Sequence, residues 1–383
     1  YLPAQHRNEP SPEVLVELQN GLTLTFLQHG LVRKLESTEY TTTYEVDDHK
    51  ILVSFKRCSF YKHQATYSEF VNKNGILVEN EVEVTGPINP GAVVRHVAFT
   101  SQTSIAEKPS LSLPLHFAIV GCLALPINRG CGVLLIPEVS DLDTFTLERP
   151  LMTPTKAREC RISGGSDAAL QAQVRLRAGR IASAMEVPGC FAVTFRPTPW
   201  AKQQKSRIES IYVPEQEREK LELFEIALAE LPPKIIETNS NGKETKKAKG
   251  KGIKQQPSGS EENGCFWSDS VIRPLIADNL AAEAPWYRNF TELSQRRDPV
   301  SRKPIWERMS FEREGLHTMI EKIPWEDQGE SAVVKAVHEA LRMRFGRIYS
   351  ENDTNTAACE NRWDKEREKW RLAFSGSKVA DQF

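Results

Sequence analysis

From Glu237 to Gly264 the chain reads ETNSNGKETKKAKGKGIKQQPSGSEENG, a stretch with almost no apolar side chain. Such a segment buries too little surface to offset the entropy of ordering it, so the packed structure must form on either side of it. It is expected to be a linker or a long solvated loop. Before it, the texture is that of strands. After it, three-to-four spacing takes over.

The 236 residues ahead of the insert divide again by pattern. Up to about Pro150, β-branched and aromatic residues cluster in short runs bounded by Gly, Pro and Asn, which predicts strands. TTTYEVDDHKILVSFK reads as two strands joined across Asp47-Asp48-His49-Lys50. GILVENEVEVTG, GAVVRHVAF and GCGVLLIPEV are further strand candidates. Val14, Leu15, Leu18 and Leu22 mix both periods, with a helix one outcome. A short helix follows Asp167, CFAVTFRPTPW returns to strand, and a helix near Glu215 to Leu231 stops at Pro232-Pro233. Beyond the insert, five stretches from SDSVIRPLIADNLAAE to NTAACENRWDKEREKWRLAF carry helical stripes, including Val334, Val337, Leu341, Phe345 and Ile348. The expected fold class is α+β: a β-rich domain over 1–160, a basic mixed segment over 161–236, the polar insert over 237–264, and a helical bundle over 265–383.

Composition excludes several classes. With 50 basic and 51 acidic residues the formal net charge is -1, so any hold on a polyanion must come from a local patch. Seven scattered cysteines with no zinc spacing predict a reducing compartment and no structural metal. The longest apolar run, Phe117 to Leu125, is far short of a bilayer span. The opening, YLPAQHRNEPSPE, lacks an initiator Met and reads like the middle of a domain, so further N-terminal sequence is expected.

SGGSD, from Ser163 to Asp167, has the outline of an ATP pyrophosphatase loop. That chemistry needs a buried strand before the glycines and a helix after them. The preceding TKAREC is charged and strand-poor, and Ala168 stands where a Ser is required. The residues favour a turn in which Ser166 or Asp167 caps the following helix. His49 beside Asp47 and Asp48 reads as a turn rather than a metal cluster, and His338-Glu339 lacks the second His of a zinc-protease helix. No Ser-His-Asp, Cys-His, paired-carboxylate or Walker arrangement stands out, so neither catalytic residues, metal nor cofactor are expected.

Local charge is more informative. Between Lys156 and Ser210 lie ten Lys or Arg, namely Lys156, Arg158, Arg161, Arg175, Arg177, Arg180, Arg196, Lys202, Lys205 and Arg207, against four acids. RPTPWAKQQKSR sets Trp200 among them, as a backbone-tracking surface with a stacking side chain would. SFKRCSFYKHQ is a second mixed patch. In NRGCG, Arg129 suits a carboxylate partner or a base edge equally. Solvated faces are the plain alternative for each patch.

Several stretches together resemble the large subunit of type I CRISPR Cascade complexes, in the MYXAN form associated with types I-A and I-B. They are LTLTFLQHG (Leu22 to Gly30), NPGAVVRHVAF (Asn89 to Phe99), NRGCGVLLIPEVSDL (Asn128 to Leu142), SGGSDAALQAQVRLRA (Ser163 to Ala178), RPLIADNLAAEAPWYRNF (Arg273 to Phe290), KAVHEALRMRFGRI (Lys335 to Ile348) and RLAFSGSKVADQF (Arg371 to Phe383). Family members extend before the match to Tyr1 and slightly past the match to Phe383. The resemblance implies a non-catalytic, cytoplasmic, prokaryotic protein that contacts the crRNA 5′ handle, recognises the PAM in double-stranded target DNA and stabilises the R-loop. Its partners would be Cascade backbone and small subunits, followed by a nuclease-helicase or, in transposon-encoded systems, transposition proteins. Its C-terminal helices would resemble the small subunits. On that reading Lys62, His63, Gln64, Asn128 and Arg129 meet the PAM duplex or the crRNA handle. Arg175, Arg177, Arg196, Lys202, Lys205 and Arg207 track phosphates, and Lys335, Arg342, Arg362, Lys365 and Lys369 line the strand path. An ATP-dependent adenylating enzyme using SGGSD and a protein-binding scaffold are the alternatives.

Overall fold

The computed structural model describes residues 6, 8–25, 33–46, 48–61, 67–83, 106–127, 130–179, 189–200, 203–238, 264–297, 305–325, 328–351 and most of 361–372. The chain is α+β and divides into two units, Tyr1–Arg288 and Asn289–Phe383.

Helix α1 (Pro12–Leu24) settles the mixed opening pattern: Val14, Leu18 and Leu22, each four residues apart, form its buried stripe, and Pro12 stands in the first turn, where no N-H is missed. Next come β1 (Arg33–Leu35), β2 (Tyr40–Val46), β3 (His49–Phe55) and β4 (Cys58–Tyr61), with β2 paired to β3 and β1 to β4, both antiparallel. Val46 pairs with His49, so the turn is tighter than the four residues expected: His49 and Lys50 already belong to β3. Asp48 takes φ 65°, the left-handed conformation that such two-residue turns require. After α2 (Tyr67–Phe70), only β5 (Val82–Glu83) of the expected strand GILVENEVEVTG is strand among the described residues. It pairs with β6 (Ala106–Glu107), and GAVVRHVAF lies outside the described residues. Helices α3 (Pro109–His116) and α4 (Ala118–Gly121) follow. The first 160 residues are therefore more helical than the strand-rich texture predicts.

The centre of the first unit is an antiparallel sheet ordered β10-β9-β8-β7. Its strands are β7 (Leu123–Ile127), β8 (Cys131–Pro137), β9 (Cys190–Trp200) and β10 (Gln203–Val213). Between β8 and β9 the chain makes α5 (Leu142–Met152), a 3-10 turn (Ala157–Cys160) and α6 (Gly165–Gly179). On one face Leu22 of α1 packs with Ala124, Leu134 and Phe195. Gly21 permits this approach: a Cβ there would lie 2.6 Å from the Ala124 carbonyl oxygen. On the other face the start of α6 rests on Ala192, Thr194 and Ile211, each 3.4 Å from a Cβ built at Gly165. Helices α5, α7 (Arg218–Glu230) and α8 (Arg273–Ala281) pack around α6. Enclosed in this way, α6 buries every residue from Ser166 to Gln173, polar ones included.

Strands β11 (Lys234–Thr238) and β12 (Gly264–Ser268) pair antiparallel with Thr238 opposite Gly264. The two ends of the polar insert are thus adjacent. The expected domain edge at 265 moves accordingly: Gly264 to Arg288, with α8, belongs to the first unit.

The second unit holds α9 (Phe290–Gln295), α10 (Ile305–Met309), a 3-10 turn (Ser310–Glu312), α11 (Arg313–Lys322), α12 (Gln328–Glu351) and helical residues between 361 and 372. Ile348 of the expected α12 stripe is buried. Among the described residues no helix is long and apolar enough to cross a membrane.

Because the atoms facing Gly21 are backbone and cannot move aside, Gly21→Ala is expected to cost about 1–3 kcal/mol. A lower urea midpoint at unchanged m value would register it.

Candidate nucleic-acid interface

SGGSD forms the turn into α6, and the first helical bond runs from the Ala168 N-H to the Gly164 carbonyl at 3.1 Å. Asp167, inside the first turn, accepts from the Ser163 N-H at 2.7 Å, satisfying a donor the helix leaves open. Ser166 plays no such part, since its buried Oγ makes no hydrogen bond. The remaining capacity of Asp167 goes to Arg273 at the start of α8: Nε donates to Oδ1 at 2.9 Å and Nη2 to Oδ2 at 3.0 Å. Gln171 Nε2 adds a bond to Oδ1 at 3.2 Å. Both partners are fully inside, with side chains 1% and 0% exposed. Arg273 also donates to the carbonyls of Leu231 and Arg161 and to Ser163 Oγ. The Asp167 carboxylate, the Ser163 hydroxyl and the Ser163 amide are here engaged with the protein itself.

A second buried cluster joins α1, β2 and the turn before α6. Arg161 Nη2 lies 2.7 Å from Glu17 Oε1, which also accepts from the Tyr44 hydroxyl at 3.0 Å. Burial first, and the Glu17 carboxylate second, push the Tyr44 phenol well above its ordinary pKa.

Two of the expected phosphate-tracking cations are bonded within the first unit, Arg175 in its interior and Arg177 nearer the surface. Arg175 points inward, Nε donating to the Met152 carbonyl at 2.7 Å and Nη1 to Gln171 Oε1 at 3.3 Å. Met152 ends α5, so Arg175 satisfies a carbonyl left open at a helix terminus, and burial pulls its pKa down to about 10. Arg149 does the same at the end of α4, donating to the carbonyls of Gly121 and Cys122 at 2.8 and 2.6 Å. Arg177 pairs with Glu222 at 2.6 Å and ties α6 to α7.

Of the other expected phosphate-tracking cations, Arg196, Lys205 and Arg207 lie on a projecting ribbon. β8 pairs with β9 only over Cys190 to Phe195, whereas β9 and β10 stay paired out to Trp200 opposite Gln203. Arg196 to Trp200 and Gln203 to Arg207 therefore extend past the sheet by about 17 Å. A two-residue loop places Pro197 and Pro199 at positions whose backbone N-H would face away from β10. On that side β8 has ended, so the prolines sacrifice no ladder bond and bar a further strand from adding there. From Arg196 to Arg207 there are four cations and no acid. Arg196 is exposed and stands in register with Arg207, Lys205 stands opposite Thr198, and Lys202 falls in the loop outside the described residues.

Topology brings a second expected element to the same end of the sheet. Ile127 pairs with Cys131, enclosing Asn128 and Arg129, and Gly132 pairs with Phe195 just where the ribbon departs. Asn128 and Arg129 themselves lie outside the described residues, as do Lys62, His63 and Gln64 just beyond β4. In the second unit Lys335 and Lys365 are exposed, and Arg342 lies on α12. Arg362 pairs with Glu351 at 3.1 Å and Lys369 with Glu366 at 3.9 Å, so these two are partly neutralised within the unit. Sequence reading missed β10, whose polar first half QQKSR hides the Ile208, Ser210, Tyr212 alternation, and it missed Arg273, whose partner lies 106 residues away.

Residues 1–116 match the DevT N-terminal domain and residues 321–383 the DevT C-terminal domain. A CRISPR-associated protein Cas8a1/Csx13 of Myxococcus xanthus (strain DK1622) is 30% identical over 384 residues, covering 98% of this chain. The two ends of the chain are thus similar to the two DevT domains. The chain spans 63% of the length of the Myxococcus relative, and the match to that relative also takes in the sheet and the ribbon, which lie between the two DevT-like domains.

Arg273→Met strands a buried carboxylate and is expected to cost about 3–5 kcal/mol, part of which Asp167→Leu in the same chain recovers. Urea unfolding of both single variants and the double variant tests the coupling; strictly additive losses would contradict it.

Proposed function

We propose that this chain is the large subunit of a Cascade-type RNA-guided DNA-targeting complex and that it acts by binding, without making or breaking a covalent bond. The observation that carries the reading is the ribbon formed by the far ends of β9 and β10, four cations without an acid on a molecule of net charge -1. A two-stranded ribbon fits the width of a duplex groove, and its cations suit phosphate positioning. The Asn128–Arg129 loop, at the same end of the sheet, is the element for base edges, since Asn and Arg form paired hydrogen bonds there. Guide pairing reads the target sequence while the protein holds the PAM duplex, the crRNA 5′ handle and the opened strands. Lys62, His63 and Gln64 belong to the duplex or handle contacts in this scheme, and Lys335, Arg342 and Lys365 to the strand path. Arg175 and Arg177 are left out of it, because their side chains are committed to α5 and α7. Backbone and small subunits are the partners in assembly, and a nuclease-helicase or transposition machinery follows target capture.

Charge reversal at two ribbon positions, Lys202→Glu with Lys205→Glu, is expected to weaken binding to PAM-containing duplex and to lower the salt slope by about two. Binding isotherms across a salt series measure both. Unchanged affinity and slope would remove the ribbon from the interface. A parallel variant, Arg177→Ala, is expected to leave the salt slope where it was.

A further inference from the structure

The opposite end of the same two strands has a different chemistry. Along the α1 side of the sheet, register stacks three cross-strand rows: Gly132, Phe195, Ile208; Leu134, Val193, Ser210; and Ile136, Phe191, Tyr212. Leu22 and Leu24 of α1 reach the first two rows. The third is uncovered: Ile136, Phe191 and Tyr212 are 39%, 48% and 43% exposed, with Ile208 on the edge strand at 43%. The Phe191 and Tyr212 rings lie 4.9 Å apart, and Gly189 makes room for the tyrosine, a Cβ there falling 2.6 Å from its hydroxyl.

The surroundings of this row are acidic. The Tyr212 hydroxyl donates to Glu138 Oε2 at 2.7 Å. The hydrogen bond to Glu138, followed by burial and by the charges of Glu138 and Glu215, raises the phenol above its ordinary pKa. From Cys131 to Asp143 there is no Lys or Arg and there are three acids, Glu138, Asp141 and Asp143. Arg218, the cation that follows β10, is already paired with Glu222 at 2.8 Å. Such a field disfavours a polyphosphate, in contrast to the ribbon at the other end of these strands.

We propose that the Ile136–Phe191–Tyr212 face docks an amphipathic helix of a protein partner, apolar on the side that meets the sheet and flanked by Lys or Arg. The row spans two strand spacings, about 10 Å, which is also the distance between positions i and i+7 of a helix. The bound helix lies beside α1 and completes the half-built layer on this face, its cations meeting Glu138 and Glu215. The β9–β10 hairpin then has two separate ends, a protein-docking root and a cationic tip.

The test uses the full chain with two fluorescent synthetic helices sharing one leucine stripe, one with Lys and one with Glu at the polar positions. The Lys peptide is expected to bind and the Glu peptide to bind at least about tenfold more weakly. Phe191→Ser with Tyr212→Ser is expected to weaken the Lys peptide by a similar factor, and Glu138→Lys alone, an exposed change that spares the core, by a few-fold, while duplex binding through the ribbon is unaltered. Equal binding of the Lys peptide to the wild type and the Glu138→Lys chain would overturn the proposal. So would oligothymidylate binding lost in the aromatic variant, which would make the face a base-stacking platform, or self-association of the wild type abolished by it, which would make a second copy the occupant.

Discussion

The bidentate pair of Asp167 with Arg273 is the constraint on which the first unit depends. A buried ion pair seldom adds net stability, because desolvating two charges offsets most of their attraction. Its value here is positional. Arg273 spends its donors on Asp167, Ser163 and the carbonyls of Arg161 and Leu231, so one guanidinium fixes the turn before α6, the start of α6, the end of α7 and the start of α8. None of those groups can shift without leaving a buried polar atom unpaired.

That fixed point orients the charged ribbon. The start of α6 rests on Ala192, Thr194 and Ile211, the segment of β9 and β10 just before both strands outrun β8. Beyond it Pro197 and Pro199 keep the outer side of β9 unpaired, so an acid-free cationic stretch projects from a rigid base. Placing charge on a stiff paired element lowers the entropy lost on binding compared with a mobile loop. On the proposed reading, a nearly neutral protein holds a polyanion at one end of a sheet while the other end, rimmed by Glu138 and Glu215, meets protein.

Much of this was legible in the sequence, and the reasons for the exceptions are physical. The β2–β3 hairpin, β8 and the helix after Asp167 follow from local periodicity and turn chemistry, which is where sequence is most explicit, whereas the mixed periods of α1 left strand and helix open. SGGSD was legible as a turn; the side-chain bond across it comes from Asp167, which Arg273 of α8 also engages, while the Ser166 Oγ makes none. Arg175 looked like its neighbours on paper; only the tertiary position of the α5 terminus turns it inward. Strand pairing between Thr238 and Gly264 is non-local and so was not legible, and the boundary between units falls after Arg288. The family was legible because seven short stretches agreed with one another, each insufficient alone.

The most direct test of the central claim is site-specific photocrosslinking from Gln204, on the ribbon opposite Pro199, in a complex assembled with guide RNA and target DNA. The account predicts that the label transfers to nucleic acid, and that the same probe placed at Tyr212 transfers to protein. Crosslinks from Gln204 to protein alone, with the assembled complex still holding its target, would contradict it.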